Sequence, residues 1–340
     1  MLVLPGADDG SRRAFYNLAR QRGDAMRVAV IGSGGVGGFV GGKLAQAGHE
    51  VAFLARGAHL EALQTRGLRV QSTGGDFDIS SVVATDQPSQ LGPADLFLFT
   101  VKTYDTDEVA ALLKPLLLPG ATVLTLQNGI DNHERIDAIL GAGTALPGTI
   151  RIETTIAEPG LIAHTSGMHL ARFGEVGPEG PKSERVERLR AAFAEAGLSV
   201  HVPRDMRQDL WSKFLMIVSF AGLTTLARAN LGEILASPEL TSTFRDILGE
   251  VSTVAKAEGV DLGADIVDKM IEMYGGLHPS FKSSMQRDLE RGKRLEVDAL
   301  QGVVVRLGQK HGIPTPVTAC INAVLGLEDR RAQATAAATT

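Results

Sequence analysis

One cysteine stands in the 340 residues, Cys320, so the chain forms no disulfide within itself and holds no multi-cysteine metal site. The histidines offer no substitute, because His164 and His169 are too far apart and too lightly supported to read as a metal pair. Excess positive charge is also missing. The formal net charge is −5, whereas nucleic-acid binding asks for a basic face. No apolar run reads as long enough to cross a membrane. The opening "MLVLPGADDG" is too short in its apolar part for a signal peptide, and Asp8 and Asp9 argue against a transit peptide. These absences predict a cytoplasmic protein with no metal, nucleic acid or membrane among its partners. The length suits two domains and a sizeable core.

What the chain does have is glycine in one telling place. Residues 32–38 read "GSGGVGG", between the apolar run "RVAVI" (27–31) and the amphipathic stretch 39–48. Val28, Ala29, Val30 and Ile31 predict a parallel strand buried on both faces. Gly32, Gly34 and Gly37 fall in the spacing G-x-G-x-x-G just before a helical pattern. The first permits a tight turn, the second lets a pyrophosphate approach the backbone, and the third lets helix and strand pack closely. Free N–H groups and the positive end of the helix dipole then face an anion. The stretch Gly32, Ser33, Gly34, Gly35, Val36 and Gly37 is therefore expected to bind a dinucleotide; a flexible loop without ligand is the plain alternative.

The choice of dinucleotide falls to the next strand, Val51 to Leu54. An NAD-binding chain usually carries an acid at its far end. Here Glu50 lies at the near end, and the far end carries Arg56, whose guanidinium suits a 2′-phosphate. This points to NADP(H) unless Arg56 is an ordinary surface arginine.

From there helices (59–67, 108–120) alternate with buried strands (94–102, 122–127), and 68–85 alternates as a short hairpin would. The pattern predicts an α/β protein with a doubly wound parallel sheet, whose ligands lie beyond the carboxyl ends of the strands. Gly32, Arg56, Lys102 and Asn128 all sit at those ends. Residues 148–176 read as antiparallel strands that extend the sheet, 183–197 as an amphipathic helix and 198–205 as a last strand. From about 205 long helices take over. The expected organisation is an extension at 1–25 with one short helix at 12–23, a Rossmann-type domain at 26–204, a helical domain at 205–328 and a disordered tail from 329.

In the first long helix (207–228), nearly apolar all round, Lys213 is flanked by Trp211, Phe214, Leu215 and Ile217. Lysine is almost never fully buried without a partner. Asp209, one turn earlier, offers a plain helical ion pair. The other reading is a lysine at a cleft wall whose pKa is lowered so that it gives up a proton. Asp288 and Glu296 are carboxylates in a polar stretch that normally reads as solvated; Glu296 differs in opening the apolar stripe of Leu295, Val297 and Leu300.

Taken together, "AVIGSGGVGG", "GHEVAFLAR", "TVKTYDT", "LQNGI", "LWSKF", "SSMQRDL" with "LEVDALQG", and "HGIPTP" resemble ketopantoate reductase (2-dehydropantoate 2-reductase) over residues 26–328. The resemblance implies a Rossmann domain and a helical domain, with hydride transfer from NADPH to a 2-oxo acid between them, ketopantoate to pantoate in pantothenate biosynthesis. It implies that Arg56 holds the 2′-phosphate and that Lys102 lies near the phosphate–ribose side. Asn128 would face the nicotinamide and the substrate, and Lys213 would protonate the carbonyl oxygen. Ser284 would bind the substrate carboxylate, and Glu296 the substrate hydroxyl or the lysine. Twelve residues of straight helix span ~18 Å. Ser284 must then precede the helix or lie in its first turn, or the chain must bend, for which Gly292 offers a place. A homodimer through the helical domain fits the same resemblance.

The chain departs from the family at two positions. Four and eight residues after the lysine, where the family has asparagines lining the substrate site, it has Ile217 and Ala221. Hydride chemistry survives that change, but recognition of ketopantoate is put in doubt, and a more apolar 2-oxo acid becomes the alternative. A β-hydroxyacid dehydrogenase shares the layout, yet it too has an asparagine at the first of these positions. A cofactor sensor without turnover is expected to lack the lysine or the glutamate, and both are present.

Overall fold

A computed structural model describes residues 25–176 and 183–339. The short helix expected over 12–23 lies outside the described residues, as does all but the last residue of the expected extension.

The first half is strand–helix alternation: β1 (Arg27–Ile31), α1 (Gly35–Gln46), β2 (Glu50–Leu54), α2 (Gly57–Arg66), β3 (Leu68–Ser72), β4 (Phe77–Ile79), β5 (Val83–Thr85), β6 (Leu96–Phe99), α3 (Thr106–Leu113), β7 (Thr122–Thr125) and α4 (Asn132–Leu140). The long pair β8 (Ala145–Glu158) and β9 (Leu161–Phe173) follows, then α5 (Glu184–Glu195) and β10 (Ser199–His201). The strands form one sheet in the order β4-β3-β9-β8-β7-β6-β1-β2-β5, with β10 paired to β9. From β8 to β5 all neighbours are parallel, and β9 runs antiparallel to β8, extending the sheet as its alternating sequence predicts. The hairpin expected over 68–85 is confined to β3 and β4; β5 instead lies parallel to β2 at the other edge.

Both faces of the central strands are covered, which is why their sequence has no polar break. Val28 and Val30 of β1 pack in one core with Phe39, Val40 and Leu44 of α1. Ala29 and Ile31 pack on the opposite face with Val109, Ala110 and Leu113 of α3.

The second half is helical: α6 (Met206–Ala227), α7 (Leu231–Ala236), α8 (Pro238–Ala257), α9 (Ile266–Gly275), α10 (Ser284–Glu290), α11 (Val303–His311) and α12 (Pro316–Thr339). Asp205 caps α6, accepting the N–H groups of Arg207 and Gln208. By length and composition α6 is apolar enough to cross a membrane, contrary to the reading that no stretch qualifies. Most of it is buried within the protein, so the apolar surface serves a core shared with Phe244, Ile247 and Val251 of α8. The tail expected to be disordered from 329 is also helical, to Thr339. Alanine-rich sequence favours helix, and Asp329 docks the segment by accepting the N–H of Leu295 at 2.8 Å.

Candidate active site

The glycine loop has the geometry its spacing predicts. Gly32 sits at φ +100°, which favours glycine. A Cβ on Gly37 would lie 2.1 Å from the Gly32 carbonyl oxygen, so helix and loop pack too closely for a side chain. A Cβ on Gly34 would meet nothing within 4 Å; this position faces open space at the head of α1. No side chain caps α1 and no acid lies in its first turn. An uncapped, uncharged helix N-terminus beside an open glycine is suited to a diphosphate. Two members of the stretch serve the loop itself. Ser33 is buried and donates its N–H to the Leu54 carbonyl at 3.2 Å, and Gly35 abuts Thr154 of β8.

Arg56 is the residue before α2, at the carboxyl end of β2, and its side chain is 76% exposed. It pairs with Asp105 at 3.1 Å. An exposed pair of this kind is worth only about 0–1 kcal/mol, so an arriving phosphate competes with it easily. The residues at the loop and at Arg56 thus fit a phosphorylated dinucleotide.

Lys102 lies just past β6, but its partners come from the helical half. Its Nζ donates to Asp288 at 2.8 Å and to Glu296 at 3.0 Å, while the Thr103 N–H donates to the other Glu296 oxygen at 3.0 Å. Both oxygens of Glu296 are therefore engaged away from Lys213, where one reading had placed it, and Asp288 is held rather than simply solvated. Burial opposes the charged forms here. The opposite charges outweigh it, holding Lys102 above and Glu296 below their ordinary ranges.

Ser284 is the first residue of α10, and its neighbour Ser283 caps that helix. The chain then breaks at Gly292, with φ +64°, and helix resumes after Glu296 through a π-helical turn at Asp298–Gly302. Of the alternatives open from sequence, first-turn placement and a bend are both realised, and placement before the helix is not. Ser284 is exposed, and Asn128 is half-buried past the end of β7.

Lys213 is 7% exposed, and the ion pair with Asp209 does not form. The Asp209 carboxylate accepts from Thr149 Oγ1 of β8 at 2.9 Å and pairs with Arg172 of β9 at 2.8 Å. The Lys213 ammonium itself has no hydrogen bond or ion pair among the described residues. Burial, seconded by the charge of Arg151, pulls its pKa down to about 8, against the opposing pull of Asp209 and Glu296. A buried, unpartnered lysine with its pKa lowered to about 8 is equipped to pass a proton. Arg151 escaped the sequence reading. The only signal for it was a lone arginine alternating with Ile150 and Ile152 in a strand otherwise read for its register.

Residues 28–178 match the family described as Ketopantoate reductase PanE/ApbA, and residues 205–328 match its C-terminal counterpart. An uncharacterized oxidoreductase, YkpB, of Bacillus subtilis (strain 168) is 31% identical, over 88% of this chain and 98% of its own. A 2-dehydropantoate 2-reductase of Halobacterium salinarum is 32% identical, over 90% and 99%. Among solved structures, a PanE/ApbA family ketopantoate reductase from Ralstonia eutropha JMP134 superposes with a TM-score of 0.82 at 34% identity, covering 90% of this chain and 99% of that one. With its glycine loop, unpartnered lysine and held glutamate in this frame, the chain belongs to the ketopantoate reductase family, oxidoreductases that act on CH–OH groups and use NADPH.

Proposed function

We propose that the protein reduces a 2-oxo acid to the 2-hydroxy acid with NADPH, and that it favours a side chain more apolar than that of ketopantoate. The observation that carries the reading is Lys213, buried, unpaired and with a pKa lowered to about 8. Bound NADPH supplies the hydride. The open face at Gly34 and the first turn of α1 take the diphosphate, and Arg56 takes the 2′-phosphate. Asn128 lines the nicotinamide and substrate side. Lys213, an ammonium below about pH 8, gives its proton to the carbonyl oxygen. The neutral amine left behind suits a buried position. Glu296, fixed by Lys102 and the Thr103 N–H, favours the charged form of Lys213 through space before transfer.

Preference for an apolar substrate rests on α6. Residues four and eight after Lys213 lie near its face, drifting by about 40° per step, and here they are the half-buried Ile217 and the buried Ala221. A substrate hydroxyl set against them loses its partners. Steady-state NADPH oxidation with ketopantoate and with 2-oxo acids bearing alkyl or aryl chains tests the reading. The expected result is turnover of several 2-oxo acids with ketopantoate among the poorer ones. No turnover of any would leave a cofactor-binding protein, and a strong preference for ketopantoate would make it an ordinary ketopantoate reductase.

A further inference from the structure

We infer that Arg151 is the anchor for the substrate carboxylate, an inference that rests on the 2-oxo acid reductase reading above. The strand register places it. β8 pairs with β7 through Val123–Ala145 and Thr125–Pro147, so β8 runs on where β7 stops, and Arg151 lies four residues past Pro147. Ligands of open parallel sheets bind in that zone beyond the strand ends.

The strand's alternation sets its direction. Thr149, two residues earlier, sends its hydroxyl to Asp209 on α6. No register shift separates Thr149 from Arg151, the first falling between Ile152 and Thr154. Arg151 therefore projects from the same face, toward the helical half. A step of two residues along a strand is about 6.6 Å, and a step of four along a helix is about 6 Å. Moving from Thr149 to Arg151 and from Asp209 to Lys213 thus keeps the two elements abreast. The charge of Arg151 is felt at Lys213 and also at Tyr274, whose hydroxyl donates to the Met216 carbonyl at 2.6 Å, less than a turn beyond Lys213.

The other cations of this region, Lys213 apart, are paired, and Arg151 is not. Arg172 pairs with Asp209, Arg287 with Glu153 at 3.1 Å, and Lys102 with Asp288 and Glu296. Among the described residues the side chain of the half-buried Arg151 has no hydrogen bond or ion pair. A 2-oxo acid presents a carbonyl oxygen and, on the adjacent carbon, a carboxylate. Lys213 suits the first as a proton donor, and a guanidinium fork suits the second. Ser284, three residues before Arg287 on α10 and so on the same helix face, is tethered to this strand by the Arg287–Glu153 pair. A serine hydroxyl alone leaves a carboxylate's charge uncompensated; Arg151 supplies the compensation.

The test uses the full chain at saturating NADPH, with 2-oxo-3-methylbutanoate and its amide as substrates. Arg151→Gln is expected to raise KM for the acid by about 10- to 150-fold, the range of one charge-assisted hydrogen bond, with a much smaller change in kcat. Preference for acid over amide should fall by a similar factor, and added guanidinium should restore part of it in Arg151→Ala. Should Arg151→Gln fail to fold, judged by thermal melting, Arg151→Lys keeps the charge without the fork and should still raise KM. An unmoved KM and acid preference in the variants overturns the inference. So does a pH profile shifted with KM unchanged, which would reduce Arg151 to an electrostatic neighbour of Lys213, or a loss of NADPH affinity equal to the rise in KM. If the unmutated enzyme reduces no 2-oxo acid, the parent reading fails and the inference falls with it.

Discussion

At the scale of single residues, the site turns on which cations have partners. Lys213 has none among the described residues, and its pKa is lowered to about 8 by burial and by Arg151, with Asp209 and Glu296 pulling the other way. Lys213→Ala is expected to lose about 10²- to 10⁴-fold in kcat, the usual share of a general acid, with NADPH affinity by fluorescence titration unchanged. With the ammonium as the proposed acid, kcat in the reductive direction should hold below pH 8 and fall as pH rises through it. A pH–rate profile flat to pH 10 would contradict that role. Arg56 has a partner, but an exposed one. Arg56→Ala should remove a preference for NADPH over NADH of about 10- to 100-fold, one charge-assisted bond less the weak competing pair with Asp105. Calorimetry with both nucleotides checks it.

At the scale of elements, α1 and α6 separate packing from binding. A methyl group on Gly37 would collide with the Gly32 carbonyl, and one on Gly34 would collide with nothing. Gly37→Ala should therefore cost about 1–3 kcal/mol or more as overpacking, visible as a fall in Tm of several degrees. Gly34→Ala should melt with the unmutated protein yet bind NADPH less tightly, because its methyl would occupy the face proposed for the phosphates. On α6, the double change Ile217→Asn with Ala221→Asn should improve kcat/KM for ketopantoate relative to alkyl 2-oxo acids. Each unpaired hydroxyl contact costs about 1–3 kcal/mol, so the expected gain reaches about 10²-fold or more. No gain would show that the two side chains do not meet the substrate.

At the scale of the whole molecule, Lys102 joins the strand-end rim to the helical half through Asp288 and Glu296, and Arg287 joins α10 to β8 through Glu153. Glu296→Gln keeps the shape but removes one charge of the Lys102 clamp, and Asp288 remains. The expected loss is about 1–3 kcal/mol in urea unfolding. The native pKa of Glu296 lies below the ordinary carboxylate value. The stabilisation is therefore fully present above the unfolded value of about 4.3 and is lost as pH falls through the lower native one. The stability gap between the unmutated protein and Glu296→Gln should accordingly narrow in acid. A gap independent of pH would mean that shape rather than charge makes the contact.

The sequence by itself determined the parallel sheet, the glycine loop between strand and helix, the change from strands to helices near residue 205, and the prominence of Lys213. Each rests on a local cause: two-faced burial, fixed glycine spacing, or one polar group in an apolar helix. It also offered the bend at Gly292 as one of three alternatives. Tertiary structure alone decided who pairs with whom. Asp209, one turn from Lys213, goes instead to Thr149 and Arg172, and Lys102 reaches partners 186 and 194 residues away. Arg151 gains meaning only because α6 packs across β8. The strength of an ion pair follows distance through space and the dielectric around it, and in this fold segments far apart in the chain supply both.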